Sequence, residues 1–354
     1  MKKILLISVI PGNMEALMEY YLNNIENKNM YNIELLELYK FYNNKIKGKF
    51  LKIKFLFKKY DLVIADYPTE LLKIGKKSIY MDHGSGLKLM PGKNEMNKIK
   101  VKRVSNIISK CDIFVIQSKR EENILYSWLP YIDKNNINFK CLGQPRNDKL
   151  FNENLKENLK EEIYLKYSIP KKDKLILLAP TWRGYKLDCN IFNEINIEIL
   201  NEFLEKNNYT LIYRPHYLED IFNRNLFNKT KFIILDSSKE KNTQNILAAS
   251  DILITDYSGI LTEFLALNRP VLFLDIDVEK YKNIRGLAID YYNELHTPGP
   301  KINNVNQIIE YLNELKNNND IYEEKRKKSI SYYYENYDGK SSKRIWRYIN
   351  YLLK

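Results

Sequence analysis

Histidine and cysteine are scarce in this chain, with three of each in 354 residues. Cys111, Cys141 and Cys189 are far apart, odd in number and form no CxxC pair. That excludes a disulfide framework and a cysteine zinc site, fits a reducing compartment, and leaves each thiol as small apolar filler. Long apolar runs are also missing. None reaches the roughly 18 residues that a membrane-spanning helix needs. Met1-Lys2-Lys3 followed by Ile4 to Ile10 resembles a short signal peptide, but Pro11-Gly12-Asn13 ends the run and no small-residue cleavage site follows. A buried first strand is the better reading. There is no dense basic block interleaved with aromatics, no helix-turn-helix pattern and no zinc finger, so nucleic acid is not the expected partner.

What the chain does have is a formal net charge of +13 spread along its length, with 28 tyrosines and an apolar content that fits a globular protein. A charge of that size attracts polyanions, anionic lipid headgroups or phosphorylated substrates.

Short apolar runs alternate with helical patterns throughout. Strands are predicted at Ile4–Ile10, Asp61–Asp66, Lys77–Met81, Cys111–Gln117 and Phe139–Leu142, with a helix at Met14–Asn23. The second half repeats the scheme, with strands at Lys174–Ala179, Thr210–Tyr213, Phe232–Leu235, Ile252–Thr255 and Val271–Leu274. Helices are predicted there at Asn193–Lys206, Thr243–Ser250 and Thr262–Ala266. Strands joined through helices imply crossovers and parallel sheets. The expectation is therefore α/β, with two Rossmann-like, doubly wound domains facing a central cleft at the carboxyl ends of their strands. The boundary is placed in the Lys/Glu/Asn-rich stretch ending at Pro170, giving domains at 1–165 and 166–335. The helical segment Ile321–Leu353 is expected to return to the first domain, with 336–354 as its closing helix.

The polar residues with chemistry to offer fall just after strands. His83, in Asp82-His83-Gly84-Ser85-Gly86-Leu87-Lys88, has an imidazole suited to removing a proton from an acceptor hydroxyl; a histidine that merely bonds its own turn fits the pattern too. In Tyr213-Arg214-Pro215-His216, proline fixes the spacing of a guanidinium and an imidazole that together suit a phosphate. Asp251–Gly259 runs from a strand into a polar turn, where Asp256, Ser258 and Gly259 precede a helix that carries Glu263; such a start suits an anion or a simple cap. Pro180-Thr181-Trp182-Arg183 adds a hydroxyl and a second guanidinium. Asp275-Ile276-Asp277 offers weak metal spacing, with Asp277 and Glu279 equally readable as solvated charges. Lys88, Arg146 and Asp148 lie in loops of the first half and are expected on the acceptor side or at a hinge.

Taken in order, these segments resemble the CDP-glycerol glycerophosphotransferase family of teichoic acid polymerases and primases. DHGSGLK (Asp82–Lys88) is similar to the family's HGT-x-x-K and GQPRND (Gly143–Asp148) to its G-x-PR-x-D. PTWR (Pro180–Arg183), YRPH (Tyr213–His216) and DILITDYSG (Asp251–Gly259) match further motifs. Asn268-Arg269-Pro270 with Asp277–Tyr281, Arg285-Gly286 with Pro298-Gly299-Pro300, and Asp338-Gly339-Lys340 complete the series.

The resemblance implies a GT-B-like fold and peripheral attachment at the cytoplasmic face of the cell membrane. It implies transfer of an alcohol phosphate from a CDP-alcohol to a hydroxyl of a lipid-linked saccharide or polymer, with CMP released. The family's two functional histidines fall on His83 and His216. Its donor and phosphate contacts fall on Arg214, Asp256, Ser258, Gly259 and Glu263, and on Thr181 and Arg183. No cofactor is implied, and a divalent metal is left open. Asp82 stands where the family often has Trp, and Gly259 where it has a second Ser. The donor alcohol, the acceptor, processivity and oligomeric state are therefore not fixed by the resemblance. The competing readings are a GT-B glycosyltransferase acting on a nucleotide sugar, and a non-catalytic polyanion binder.

Overall fold

The computed structural model describes residues 1–41, 44–82, 86–89, 92–93, 97–128, 136–183, 192, 195–215 and 231–354, with backbone alone at 45–46 and 126–128. The chain divides into two compact units. Unit 1 contains Met1–Gly86, Glu95–Asp148 and Tyr333–Lys354; unit 2 contains Leu87–Asn94 and Lys149–Tyr332.

Unit 1 is built on a six-stranded sheet in the order β2-β1-β3-β4-β5-β6. The strands are β1 Lys2–Ser8, β2 Tyr31–Glu37, β3 Tyr60–Ala65, β4 Gly75–Met81, β5 Ile113–Ile116 and β6 Phe139–Cys141, all parallel. Ile4 to Ile7 are fully buried because helices cover both faces, which is why this strand reads as a continuous apolar run rather than an alternation. The helices of this half are α1 Asn13–Asn24, α2 Lys45–Leu56, α3 Lys98–Ile108 and α4 Lys119–Trp128. One face of the sheet packs Leu5, Ile7, Val63, Tyr80 and Phe114, and the other packs Ile4, Leu6, Ile64, Ile79 and Val115.

Unit 2 repeats the design in the order β12-β11-β10-β7-β8-β9, again all parallel. Its strands are β7 Lys174–Leu178, β8 Tyr209–Tyr213, β9 Phe232–Ile234, β10 Ile252–Thr255, β11 Val271–Leu274 and β12 Lys301–Ile302. The helices are α5 Glu153–Lys166, α6 Ile197–Asn207, α7 Thr243–Ala249, α8 Ile260–Phe264, α9 Val278–Ile284, α10 Val305–Lys316 and α11 Glu323–Tyr333. In both sheets the chain first adds strands toward one edge and then crosses to the other. The order therefore reverses between β1 and β3 in unit 1, and between β7 and β10 in unit 2.

The division falls earlier than the sequence reading placed it. Helix α5 goes with unit 2 because Lys160 pairs with Asp251, Lys166 pairs with Glu240, and the Tyr164 hydroxyl donates to the Asp173 carbonyl. The helical stretch Ile321–Leu353 comprises α11 and a closing helix. Asp338-Gly339, with Gly339 at φ +63°, separates α11 from α12 (Ser341–Leu352). Helix α12 lies in unit 1, where the Trp346 ring stacks 5.2 Å from Tyr21 and its indole N–H donates to the Leu17 carbonyl at 2.9 Å. Strands β2 and β12 escaped the sequence reading. β2 is a half-exposed edge strand with polar residues on it, and β12 is two residues long.

Candidate active site

In open α/β sheets, ligands bind outside the carboxyl ends of the strands where the strand order reverses. In unit 2 that place is the gap between β7 and β10. The chain leaving β7 passes through Pro180 to Arg183, and the chain leaving β10 begins with Asp256. Asp256 is fully buried and accepts the backbone N–H of Thr181 at 3.0 and 2.9 Å. Its carboxylate also receives the Arg183 guanidinium. Arg183 is a fork between two acids. Its Nε and one terminal nitrogen donate to Asp277 at 3.0 and 2.9 Å, while the other terminal nitrogen reaches Asp256. The Tyr257 hydroxyl donates to Asp277 at 3.0 Å, and the Tyr257 ring lies under the guanidinium at 5.1 Å and beside Tyr281 at 4.1 Å. The two carboxylates hold the Arg183 guanidinium charged, well above its already high ordinary range. Burial pushes the Tyr257 hydroxyl far up, so it remains a donor at all physiological pH.

Asp277 is thus not a solvated loop charge but the second anchor of Arg183. Sequence reasoning missed this pairing. The signal was an Arg, an Asp and another Asp, each placed just after a strand of one sheet. Among the described residues no group of three His, Cys, Asp or Glu side chains is placed to hold a metal ion.

Lys88, a candidate for the acceptor side or a hinge, follows directly on the passage of the chain from unit 1 to unit 2 and is grouped with unit 2. Its ammonium lies 3.5 Å from the Thr181 hydroxyl. Arg214, leaving β8, is largely occupied by the segment between β9 and α7. Its guanidinium donates to the carbonyls of Leu235 and Glu240 at 2.9 and 2.6 Å and to the Thr243 hydroxyl at 3.3 Å. Ser258 and Gly259 are partly exposed and precede α8, whose five residues offer little of the helix dipole that the sequence suggested. Glu263, on α8, accepts from the Gln244 side chain. His83 and His216 lie outside the described residues.

Unit 1 has its own acid at the corresponding place. Asp66, directly after β3, is fully buried and accepts the backbone N–H groups of Val9 and Ile10 at 2.8 and 3.3 Å. Burial pushes its carboxyl up to about 7. The remaining two sequence candidates of this half are structural in their visible contacts. Asp148 caps α12 by accepting the N–H groups of Ser341 and Ser342 at 2.9 and 2.7 Å. Arg146 is buried with its backbone N–H on the Asn13 side chain, against Gly12. The Asn13 side-chain amide donates to Gln144, which in turn donates to the carbonyl of Asp82, the residue before His83.

The sequence profile of the CDP-glycerol:poly(glycerophosphate) glycerophosphotransferase family matches residues 1–351. A teichoic acid poly(glycerol phosphate) polymerase of Bacillus spizizenii is 35% identical over 211 residues, which are 57% of this chain and 51% of that protein. A teichoic acid glycerol-phosphate transferase of Staphylococcus aureus is 31% identical over 212 residues, 57% of this chain and 52% of that one. The chain spans about half the length of these curated relatives. Among solved structures, the wall teichoic acid polymerase TagF, in a variant soaked with CDPG, superimposes with a TM-score of 0.72 at 22% identity, covering 99% of this chain and 88% of that one. That likeness shows the fold, which is α/β and GT-B-like.

Proposed function

Since the chain belongs to the CDP-glycerol:poly(glycerophosphate) glycerophosphotransferase family, we propose that it transfers glycerol phosphate, or a similar alcohol phosphate, from a CDP-alcohol to a hydroxyl of a lipid-linked or polymeric surface glycan. The observation that carries this reading is the order reversal of the second sheet. There Asp256 draws the loop bearing Thr181 and Arg183 into place, and the Lys88 ammonium stands 3.5 Å from the Thr181 hydroxyl. A pyrophosphate needs fixed positive charge at such a place.

In the proposed reaction the acceptor oxygen attacks the phosphorus that carries the alcohol. The new O–P bond forms as the bond from that phosphorus to the bridging oxygen breaks. CMP leaves with the electron pair, and the acceptor proton passes to a base, a role assigned to His83. His216 is assigned to the donor phosphates. Arg214 holds the segment that follows β9 by gripping the carbonyls of Leu235 and Glu240. Arg183, already shared by two carboxylates, supports the loop that carries Thr181.

The surface-glycan acceptor calls for work at a membrane, and α2 supports it. No described helix is long and apolar enough to cross a bilayer. On α2 and the residue after it, Phe50 (68% exposed), Ile53, Leu56 and Phe57 (85% exposed) lie open to solvent. Lys47, Lys49, Lys52, Lys54 and Lys59 are exposed around them, and no acidic residue occurs from Leu38 to Tyr60. Large apolar side chains rimmed by lysines suit the headgroup region of an anionic bilayer. This supports a peripheral enzyme at the cytoplasmic face, where nucleotide donors are available.

The test is to offer a panel of CDP-alcohols and nucleotide sugars and to identify the bond formed. A phosphodiester with CMP release supports the reading. A glycosidic bond replaces it with a glycosyltransferase.

A further inference from the structure

We propose that Lys88 is a catalytic residue of the donor site, holding the donor's pyrophosphate and stabilising the nucleoside monophosphate as it leaves. The inference rests on the transfer reading above and assigns a residue to it.

The placement of Lys88 is built into the fold. The chain leaves unit 1 after Gly86 and joins unit 2 at Leu87. There Lys88 forms an antiparallel bridge with Leu287. The Ala288 N–H donates to the Leu87 carbonyl at 2.9 Å, the Leu89 N–H to Gly286 at 3.2 Å and the Lys93 N–H to Arg285 at 2.9 Å. Leu87 is buried beneath. Gly286 has φ +86°, and a Cβ there would stand 2.4 Å from the Leu89 side chain, so this close approach requires glycine. These contacts fix the main chain from which the Lys88 side chain departs.

Among the described residues its charge has Asp256 nearby but no carboxylate in direct contact. Among the described residues the Lys88 ammonium makes no ion pair, and its hydrogen-bond partner is the neutral Thr181 hydroxyl at 3.5 Å. The nearby Asp256 carboxylate already serves the Thr181 N–H and Arg183. The charged groups around Lys88 are Asp256, Arg183 and Arg285, and Arg183 in turn is shared with Asp277. Among the described residues, Asp256 is therefore shared between the Thr181 N–H, Arg183 and the field at Lys88. Burial, with the two guanidiniums, lowers the ammonium to about 8. Holding a poorly compensated ammonium there costs free energy, and an anion of two or more charges would remove that cost. A pyrophosphate bridging at the carboxyl ends of β7 and β10 has the required charge.

In the transfer step Lys88 keeps its proton. As the bond between the attacked phosphorus and the bridging oxygen breaks, charge grows on the departing CMP phosphate, and the fixed ammonium opposes it.

The experiment compares wild type with Lys88→Met and Lys88→Arg, measuring CMP binding by calorimetry and CMP release from CDP-glycerol with a glycerol-phosphate primer. Loss of one charged hydrogen bond to phosphate predicts a fall of roughly 10- to 100-fold in both CMP affinity and kcat for Lys88→Met, with partial rescue by Arg. The wild-type kcat/KM should decline on the basic side near pH 8, and Lys88→Arg should lack that decline. Wild-type behaviour of Lys88→Met in an active wild-type background overturns the assignment and leaves the transfer reading standing. A wild type that neither binds CMP nor releases it sinks both. Should Lys88→Met fail to fold, the pH profile decides, and an unchanged basic limb in Lys88→Arg overturns the proposal.

Discussion

Asp66 and Asp256 hold equivalent places in two separate sheets. Each is fully buried, each directly follows the strand on the far side of the order reversal, and each accepts backbone N–H donation from the loop that leaves the neighbouring first strand, from Val9 and Ile10 in one case and Thr181 in the other. A carboxylate at that point ties together two chain segments whose parallel strands would otherwise diverge into separate loops. The surroundings then set different characters. Asp256 is joined by Arg183, whereas the Asp66 carboxyl is pushed up to about 7 by burial, against the pull of its backbone donors and of Arg146.

That difference makes unit 1 sensitive to pH. Asp66 and Glu121 have folded values of about 7 and about 8, raised from 3.8 and 4.5 chiefly by burial. Glu121 is flanked by Asp82, Arg120 and Arg146 and accepts the Gln117 N–H at 3.1 Å. Between the unfolded and folded values the native state binds more protons than the unfolded chain. Stability from these groups is therefore full below about pH 4 and falls as pH rises to about 8. Glu121→Gln, which keeps the acceptor, should flatten the decline of the melting temperature between pH 5 and 8. An identical pH slope in the variant would contradict this.

Arg183 should matter more for stability than its place in a polar motif suggests. Arg183→Met strands two buried carboxylates, and breaking such a pair from one side costs about 3–5 kcal/mol. Urea unfolding should show a loss of that order, with Lys recovering only part of it because one ammonium cannot span both acids. A loss below about 1 kcal/mol would mean that the acids find other partners.

Membrane attachment should depend on α2. Replacing Phe50 and Phe57 by Ser, or Lys49 and Lys52 by Gln, should lower co-sedimentation with vesicles containing anionic lipid, by about 1 kcal/mol per lysine, and the lysine effect should vanish at high salt. Sedimentation of all variants like wild type would place the membrane contact elsewhere.

Much of the fold was legible because parallel strands covered on both faces advertise themselves as short apolar runs. β10 and β11 fall on the residues expected, and β1 ends at Ser8, two residues short of Ile10. β2 was hidden because an edge strand carries Asn32, Glu34 and Glu37 without losing its pairing to β1. The domain course was harder to read. Nothing in Leu87-Lys88-Leu89 announces a crossing into unit 2, because the partners that receive it, Arg285 to Ala288, lie about two hundred residues further along the chain. The Arg183 fork was invisible for the same reason: an ion pair is a relation between distant loops, and each of its members reads alone as a ligand. His83 and His216, on which the sequence reading leaned most, lie outside the described residues, so their assignment rests on the motifs.

The most direct measurement of the central claim is CMP release from CDP-glycerol in the presence of a glycerol-phosphate primer, for wild type, His83→Ala and His216→Ala. Wild type should release CMP in step with a new phosphodiester, and loss of the base should slow it by roughly 10²- to 10⁴-fold in His83→Ala, with His216→Ala also strongly impaired. No CMP from wild type with any CDP-alcohol, or full activity in both variants, would contradict the account.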